Sequence, residues 1–241
     1  LRHFFVSERP IPKKHVALSS ADSRHLLQVL RAKSGMEIQV AYDGSLYRGR
    51  LVAIRGDAFV AVEEEIPMEG PLASVVLVQS VGKGQKLEAV IKHATECGVD
   101  AFLPLQAKRS VSDLTKKYES KRIRYEKIAQ EAAKQSNRRH IPEILDLADM
   151  ESFLACTKEN DEILVCYEEE RQQDILDVEL RLQGDVYVVV GPEGGFDPEE
   201  IARLKEANAK FVSLGDTILR TETAGVIGGY IAARLVERRT R

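Results

Sequence analysis

Two glycine-bearing loops near the C-terminal end, each preceded by a short apolar run, constrain this chain's fold more than any other feature. Val186-Tyr187-Val188-Val189-Val190 leads into Gly191-Pro192-Glu193-Gly194-Gly195-Phe196. Phe211-Val212-Ser213-Leu214 leads into Gly215-Asp216 and on through Thr217-Ile218-Leu219-Arg220-Thr221-Glu222-Thr223-Ala224-Gly225. Both runs are too short for a helix, and the first is dominated by β-branched residues, so they predict buried parallel strands. Ligands in an open α/β sheet sit where strands end and helices begin. Two such endings, about 25 residues apart, predict the walls of one pocket.

The rest of the chain is consistent with that reading. After Pro71, strand candidates at Ser74–Gln79, Ala101–Leu105, Ile163–Tyr167, Val186–Val190 and Phe211–Leu214 alternate with helix candidates at Lys86–Cys97, Lys121–Ser136, Pro198–Ala207 and Glu222–Arg238. Such alternation predicts a mostly parallel sheet covered on both faces. Asp197 before Pro198, with Glu200 at the third helical position, is a helix start. Residues 1–70 have a different texture. Runs at Glu37–Tyr42, Leu46–Leu51 and Ala58–Val62 are separated by turns at Asp43-Gly44 and Gly56-Asp57, which predicts a small β-barrel. One helix, Ser20–Arg31, interrupts it with His25, Leu26, Val29 and Leu30 on a common stripe. Glu63–Pro71, charged and with two prolines, reads as a linker, dividing a first domain at 1–70 from a second at 71–241.

At 241 residues and 44% hydrophobic content the chain suits a two-domain globular protein. No apolar stretch approaches the ~20 residues that span a bilayer, and Leu1-Arg2-His3-Phe4-Phe5 lacks the apolar core of a secretion signal. Cys97, Cys156 and Cys166 are odd in number and widely spaced, which argues against a disulfide framework and against a structural zinc site. A cytoplasmic, metal-free protein with no membrane partner is expected. The net charge of −3 conceals segregation: residues 81–140 hold fourteen Lys/Arg against seven Asp/Glu, and residues 141–210 hold six against nineteen. The basic segment reads either as solvated helix faces or as a surface that meets phosphates.

Each loop has a plain structural reading beside a functional one. The Gly191–Phe196 loop offers backbone N–H groups and little bulk, so it can wrap a ligand closely, but a simple strand–helix turn would look the same. It matches neither the P-loop nor the dinucleotide-binding pattern, and Val81-Gly82-Lys83-Gly84-Gln85-Lys86 also fails both spacings. In the second loop, Thr221 suits a helix cap and Glu222 a first helical turn. Arg220 is left over, a cation suited to phosphate or an oxyanion. In the last helix candidate, Ala224, Gly228 and Ala232 recur every four residues, as do Gly225, Gly229 and Ala233. Glycine in a helix costs about 1 kcal/mol against alanine, so these stripes imply close approach, either within the chain or across a dimer.

The two loops together resemble the paired signature of the SPOUT-superfamily RNA methyltransferases, and more narrowly that of the bacterial 16S ribosomal RNA uridine-N3 methyltransferases. His25-Leu26-Leu27-Gln28-Val29-Leu30-Arg31, Gly98-Val99, Arg109-Ser110 and the stretch from Glu131 through Arg138 to Ile141-Pro142 extend the resemblance over essentially the whole chain. Departures are few: Cys97 stands where leucine is commoner, and Asp216-Thr217 where Pro-Arg is usual. The resemblance implies a trefoil-knotted α/β domain, a PUA-like N-terminal β-barrel, a homodimer and S-adenosylmethionine as cofactor. It implies cofactor contacts from Val190, Gly191, Glu193, Gly194 and Gly195 in the first loop, and from Leu214, Gly215, Ile218, Leu219, Arg220, Thr223 and Ala224 in the second.

The expected activity is methylation of N3 of a uridine in the 16S RNA of the small ribosomal subunit. N3 carries a proton at neutral pH, so positioning and stabilisation of a deprotonated uracil are the natural contributions of the protein. Arg220 is the first candidate for that stabilisation, Glu222 a candidate proton acceptor. Arg24, Arg31, Arg109, Lys134, Arg138 and Arg139 are the candidate RNA contacts. The alternative is a non-catalytic RNA-binding or ribosome-assembly factor.

Overall fold

The computed structural model describes residues 2–67 and 73–240. The chain divides into two compact units, 1–70 with 133–141, and 71–132 with 142–241. The segment Ala133–Ile141 therefore joins the first unit although it lies far along the chain. The expected division near residue 70, and the end of the expected linker, lie outside the described residues.

The first unit is a five-stranded sheet of β1 (Arg2–Phe5), β2 (His15–Ala17), β3 (Glu37–Tyr42), β4 (Ser45–Ile54) and β5 (Asp57–Ile66), in the order β1-β3-β4-β5-β2. Only β1 runs parallel to its neighbour. Asp43 and Gly44 both have positive φ, as do Arg55 and Gly56; paired positive φ values make tight hairpin turns whose twist matches that of the strands. Alternate residues of β5, Ala58, Val60 and Val62, point into a core with Phe4, Leu26, Ile38, Val40, Tyr47 and Leu51. Glu63–Ile66 continue β5 rather than starting a linker. No pairing joins β1 to β2 among the described residues.

The helix expected over Ser20–Arg31 is shorter and changes type. An α-helix, α1 (Ser20–Arg24), gives way to a π-helical turn at His25–Val29, and Arg31 takes φ 48°. The wider turn breaks the expected stripe: Leu26 is fully buried, while Val29 is 65% exposed.

The second unit contains six parallel strands, β6 (Val75–Ser80), β7 (Ala101–Leu105), β8 (Glu143–Ile144), β9 (Glu162–Cys166), β10 (Val186–Val190) and β11 (Lys210–Val212), in the order β11-β9-β10-β6-β7-β8. Every residue of β6, β7, β9 and β10 is buried, which explains their unbroken apolar runs. The helices are α2 (Lys86–Glu96), α3 (Tyr118–Gln135, of which the last three residues belong to the first unit), α4 (Met150–Cys156), α5 (Pro198–Glu206) and α6 (Thr221–Thr240). Val76, Val78, Val165 and Val189 pack with Phe153 of α4 and Leu204 of α5. The intervening Val188 and the end of β6 face α6. Asp197 and Glu200 form the expected reciprocal cap of α5, and Asp149 caps α4, which the sequence reading lacked.

The small-residue stripes of α6 are used within the chain. A Cβ at Gly225 would collide with Gln79 Oε1, one at Gly228 would lie 3.0 Å from Cys166 Sγ, and one at Gly229 would lie 2.7 Å from Val99 Cγ2. Gly225 and Gly228 let α6 lie directly on its own sheet, and Gly229 lets it meet Val99 ahead of β7, so these three positions make close contacts within the chain.

Candidate functional site

The loops that leave the C-terminal ends of β9, β10 and β11 line a cleft of about 420 Å³. From β6 the chain moves outward through β7 and β8, whereas from β10 it passes to β11 on the opposite side. The cleft lies beside that reversal, where open α/β sheets place their ligands. Cys166, Tyr167, Glu168 and Arg171 come from the β9 end, Val190–Glu193 from the β10 end, and Ser213–Gly215 with Thr217–Thr221 from the β11 end. Lys86 at the start of α2 and Ala224 in α6 complete the lining.

Of the residues expected at the cofactor, Val190, Gly191, Glu193, Leu214, Gly215, Ile218, Leu219, Arg220 and Ala224 line this cleft. Gly194, Gly195 and Thr223 do not. Gly195 instead closes the loop: its N–H donates to the Pro192 carbonyl at 2.9 Å, and its φ of +68° suits glycine. Gly194 presents its carbonyl to Arg109 Nη1 at 3.4 Å, and Thr223 is exposed on α6. The sequence reading missed the β9 loop altogether. The strand-end rule that selected the other two loops applies equally to Tyr167, at the end of an expected strand.

Thr221 does more than begin a helix. Its hydroxyl donates to the Gly191 carbonyl at 2.6 Å and accepts from Gln79 Nε2 at 2.9 Å. This buried side chain ties α6 to the first loop and to β6, a tertiary role in place of the expected cap.

Two carboxylates converge on one ammonium. Lys86 Nζ lies 2.9 Å from Glu193 Oε1 and 3.1 Å from Glu222 Oε2. Glu193, then Glu222, hold the lysine pKa above its ordinary value. Burial alone would lift the Glu222 carboxyl, but its own backbone N–H, Lys86 and Arg220 together bring it below the usual carboxylate range. Glu222 is therefore an anion at neutral pH, paired with Lys86 rather than lining the cleft. Arg220 is exposed on the cleft lining. Burial pushes the Cys166 thiol up to about 12, so it carries no thiolate at neutral pH. Among the described residues no cluster of three or more His, Cys, Asp or Glu side chains could hold a metal ion, and no helix is long and apolar enough to cross a membrane.

The candidate RNA contacts differ in availability. Arg24 and Arg31 are exposed. Lys134 Nζ is paired with Asp22 at 2.8 Å, Arg138 contacts His140 Nε2 at 2.9 Å, and Arg139 is half-buried. Arg109 pairs with Asp197 at 3.5 Å as well as reaching Gly194.

Comparison with known proteins bears on this geometry. The RNA methyltransferase domain family matches residues 68–231. The chain is 33% identical over 223 residues to a Bacillus subtilis protein named "Ribosomal RNA small subunit methyltransferase E", covering 86% of this chain and 85% of that protein. A Mycobacterium bovis protein of the same name is 32% identical, covering 93% and 88%. Among solved structures, ribosomal RNA small subunit methyltransferase E from Neisseria gonorrhoeae, bound to S-adenosyl methionine, superposes with a TM-score of 0.83 at 26% identity, covering 97% of this chain and 96% of that one.

Proposed function

Because this chain belongs to the RNA methyltransferase family, we propose that it methylates N3 of a uridine in the 16S RNA of the small ribosomal subunit, using S-adenosylmethionine. The observation that carries this reading is the cleft at the ends of β9, β10 and β11, built on the two loops that bear the family signature. The names of the Bacillus and Mycobacterium relatives supply the substrate class, and the cofactor in the Neisseria relative supplies the methyl donor.

The residues present suit that cofactor. A Cβ at Gly215 would meet nothing within 4 Å, and one at Gly194 only Arg109 Cβ at 3.9 Å, so backbone is accessible at both loops. Leu214, Ile218 and Leu219 offer apolar surface, while Glu168, Arg171 and Glu193 offer charges of both signs for a zwitterionic ligand. When bound, S-adenosylmethionine supplies an electrophilic methyl group on its sulfonium.

The protein's part is to hold the uracil and manage its proton. Arg220 stands on the cleft lining, where a guanidinium stabilises negative charge spreading onto uracil oxygens as the N3 proton leaves. Glu222, already ionised but paired with Lys86 behind the cleft lining, is the weaker candidate, as acceptor of that proton. The base must be unpaired or extruded to enter. Arg24 and Arg31 serve as phosphate contacts of the first unit, which we read as a PUA-like barrel. The second unit is read as a trefoil-knotted SPOUT domain acting in the cytoplasm as a homodimer. Ile227 and Tyr230, 39% and 49% exposed on α6, offer an apolar face to a second copy.

Incubation with methyl-labelled S-adenosylmethionine and small ribosomal subunits, followed by nucleoside analysis, tests the reading. Label in 3-methyluridine is the expected result. RNA binding without transfer would favour a non-catalytic assembly factor, and label on another atom would overturn the assignment to N3.

A further inference from the structure

The segment Val81-Gly82-Lys83-Gly84-Gln85-Lys86 looks like a phosphate-binding loop and fails its spacing, yet in the fold it does hold an anion, and that anion belongs to the chain. Glu193 Oε1 lies 2.9 Å from Lys86 Nζ, with the Lys83 N–H directed at it from 3.5 Å. Glycine leaves room for this approach: a Cβ at Gly82 would crowd both partners, 3.2 Å from Glu193 Oε1 and 3.3 Å from Lys86 Cδ. Gly84, at φ +69°, turns the chain into α2. Lys86 is the first residue of α2, where the helix dipole disfavours a cation. A local rule broken in this way marks a residue held by something other than its own helix. The compensation is the pair of carboxylates, Glu193 from the β10 loop and Glu222 from the start of α6.

We propose that Lys86 is a positioning residue, a latch that holds the glycine loop and the N-terminus of α6 together and so keeps the cofactor cleft in its binding shape. The proposal rests on the functional reading above and deepens it. Lys86 joins three elements that are remote in sequence, and both carboxylates sit on segments that supply cleft lining: Pro192 and Glu193 on one side, Arg220 and Thr221 on the other. Breaking the latch frees the loop and the helix end to separate, and ordering them again then opposes ligand binding. Lys86 also helps to hold the Glu222 carboxyl ionised, so, with Glu222 as proton acceptor, its loss moves the acid limb of methyl transfer as well as affinity.

The test uses the full chain with Lys86→Met, Lys86→Arg, Glu193→Gln and the double variant Lys86→Met/Glu193→Gln. Calorimetric titration with S-adenosylmethionine is expected to show about three- to tenfold weaker binding for Lys86→Met and for Glu193→Gln. No further loss is expected in the double variant, because the two residues act as one unit, and Lys86→Arg should recover most of the affinity. The acid limb of the methyl-transfer profile should shift to higher pH in Lys86→Met, a change that a purely structural role would not produce. Thermal melting of the ligand-free variants reads the Lys86–Glu193 coupling without any cofactor. A wild-type chain that binds no cofactor while the melting cycle shows coupling would overturn the functional reading. A wild-type chain that binds, with Lys86→Met binding equally well or the two single effects simply adding, would overturn the latch.

Discussion

Thr221 donates its hydroxyl to the carbonyl oxygen of Gly191 at 2.6 Å, linking the first residue of α6 to the end of β10 thirty positions earlier. The Thr221 hydroxyl oxygen in turn accepts from the buried Gln79 amide of β6, so one small side chain joins three elements at the floor of the sheet's C-terminal edge. Thr221→Val keeps the shape and removes both bonds, stranding a carbonyl and an amide. A loss of about 1–3 kcal/mol is expected, read as a lower urea midpoint with an unchanged slope.

Gly195 tests whether the first loop binds ligand or only turns the chain. Its φ of +68° excludes a β-branched residue without strain, and a Cβ there would lie 3.0 Å from the flexible end of Glu168. Gly195→Val should abolish S-adenosylmethionine binding in calorimetry while circular dichroism still reports a folded chain. Retained affinity in the folded variant would reduce the loop to a turn.

His3 predicts a pH dependence for the first unit. Burial, assisted by Lys134 and opposed by a bond with the Arg138 backbone, lowers its pKa from 6.5 to about 4. The folded state thus keeps the ring neutral while the unfolded chain protonates below 6.5, so stability is complete above that value and falls as pH drops toward 4. Across that window the loss is on the order of 3 kcal/mol. Urea unfolding at pH 7 and pH 4.5 should show this drop in the parent and a flatter dependence in His3→Gln. Equal slopes with pH in both would exclude His3 as the source.

Arginines in different settings should fail differently. Arg220→Ala should cut methyl transfer at least tenfold while leaving cofactor affinity nearly intact, if its cation acts on uracil. The exposed Arg24 and Arg31 are the better candidates for phosphate contact, so replacing both by alanine should lower the salt slope of RNA binding by about two. Lys134, committed to Asp22, should affect melting rather than the salt slope when changed to alanine. Binding isotherms at several salt concentrations separate these outcomes.

Much of this protein was written in local pattern. Val186–Val190 and Ala101–Leu105 coincide with their strands residue for residue, because a strand buried on both faces needs an unbroken apolar run and nothing else in the chain supplies one there. Asp197, Pro198 and Glu200 announced α5 because a helix cap is made by residues within a single turn. Asp43-Gly44 announced its hairpin because positive φ at two successive positions restricts residue choice. Short elements escaped: β1, β2, β8 and α4 are too brief for periodicity to show, and they exist because neighbours pair with them or pack on them. The Ser20–Arg31 pattern pointed to one helix and held no sign of the π-helical turn at His25–Val29, in which Leu26 is buried and Val29 exposed.

The site divides along the same line. Strand ends followed by glycine loops located the cleft, since the chemistry of a tight turn is local and leaves its mark in consecutive residues. Lys86 carries no such mark. Its role depends on Glu193, 107 residues away, and on Glu222, farther still, so only the folded sheet brings the three charges together. The α6 glycines were visible as a stripe, but the atoms they meet within the chain, Gln79, Cys166, Val188 and Val99, were decided by close packing between surfaces remote in sequence. The addition of Ala133–Ile141 to the first unit, through Lys134 to Asp22 and Arg138 to His3, was likewise beyond any local rule. Local conformational preference is encoded a few residues at a time, whereas burial, ion pairing and close approach are properties of surfaces that exist only once the chain has folded.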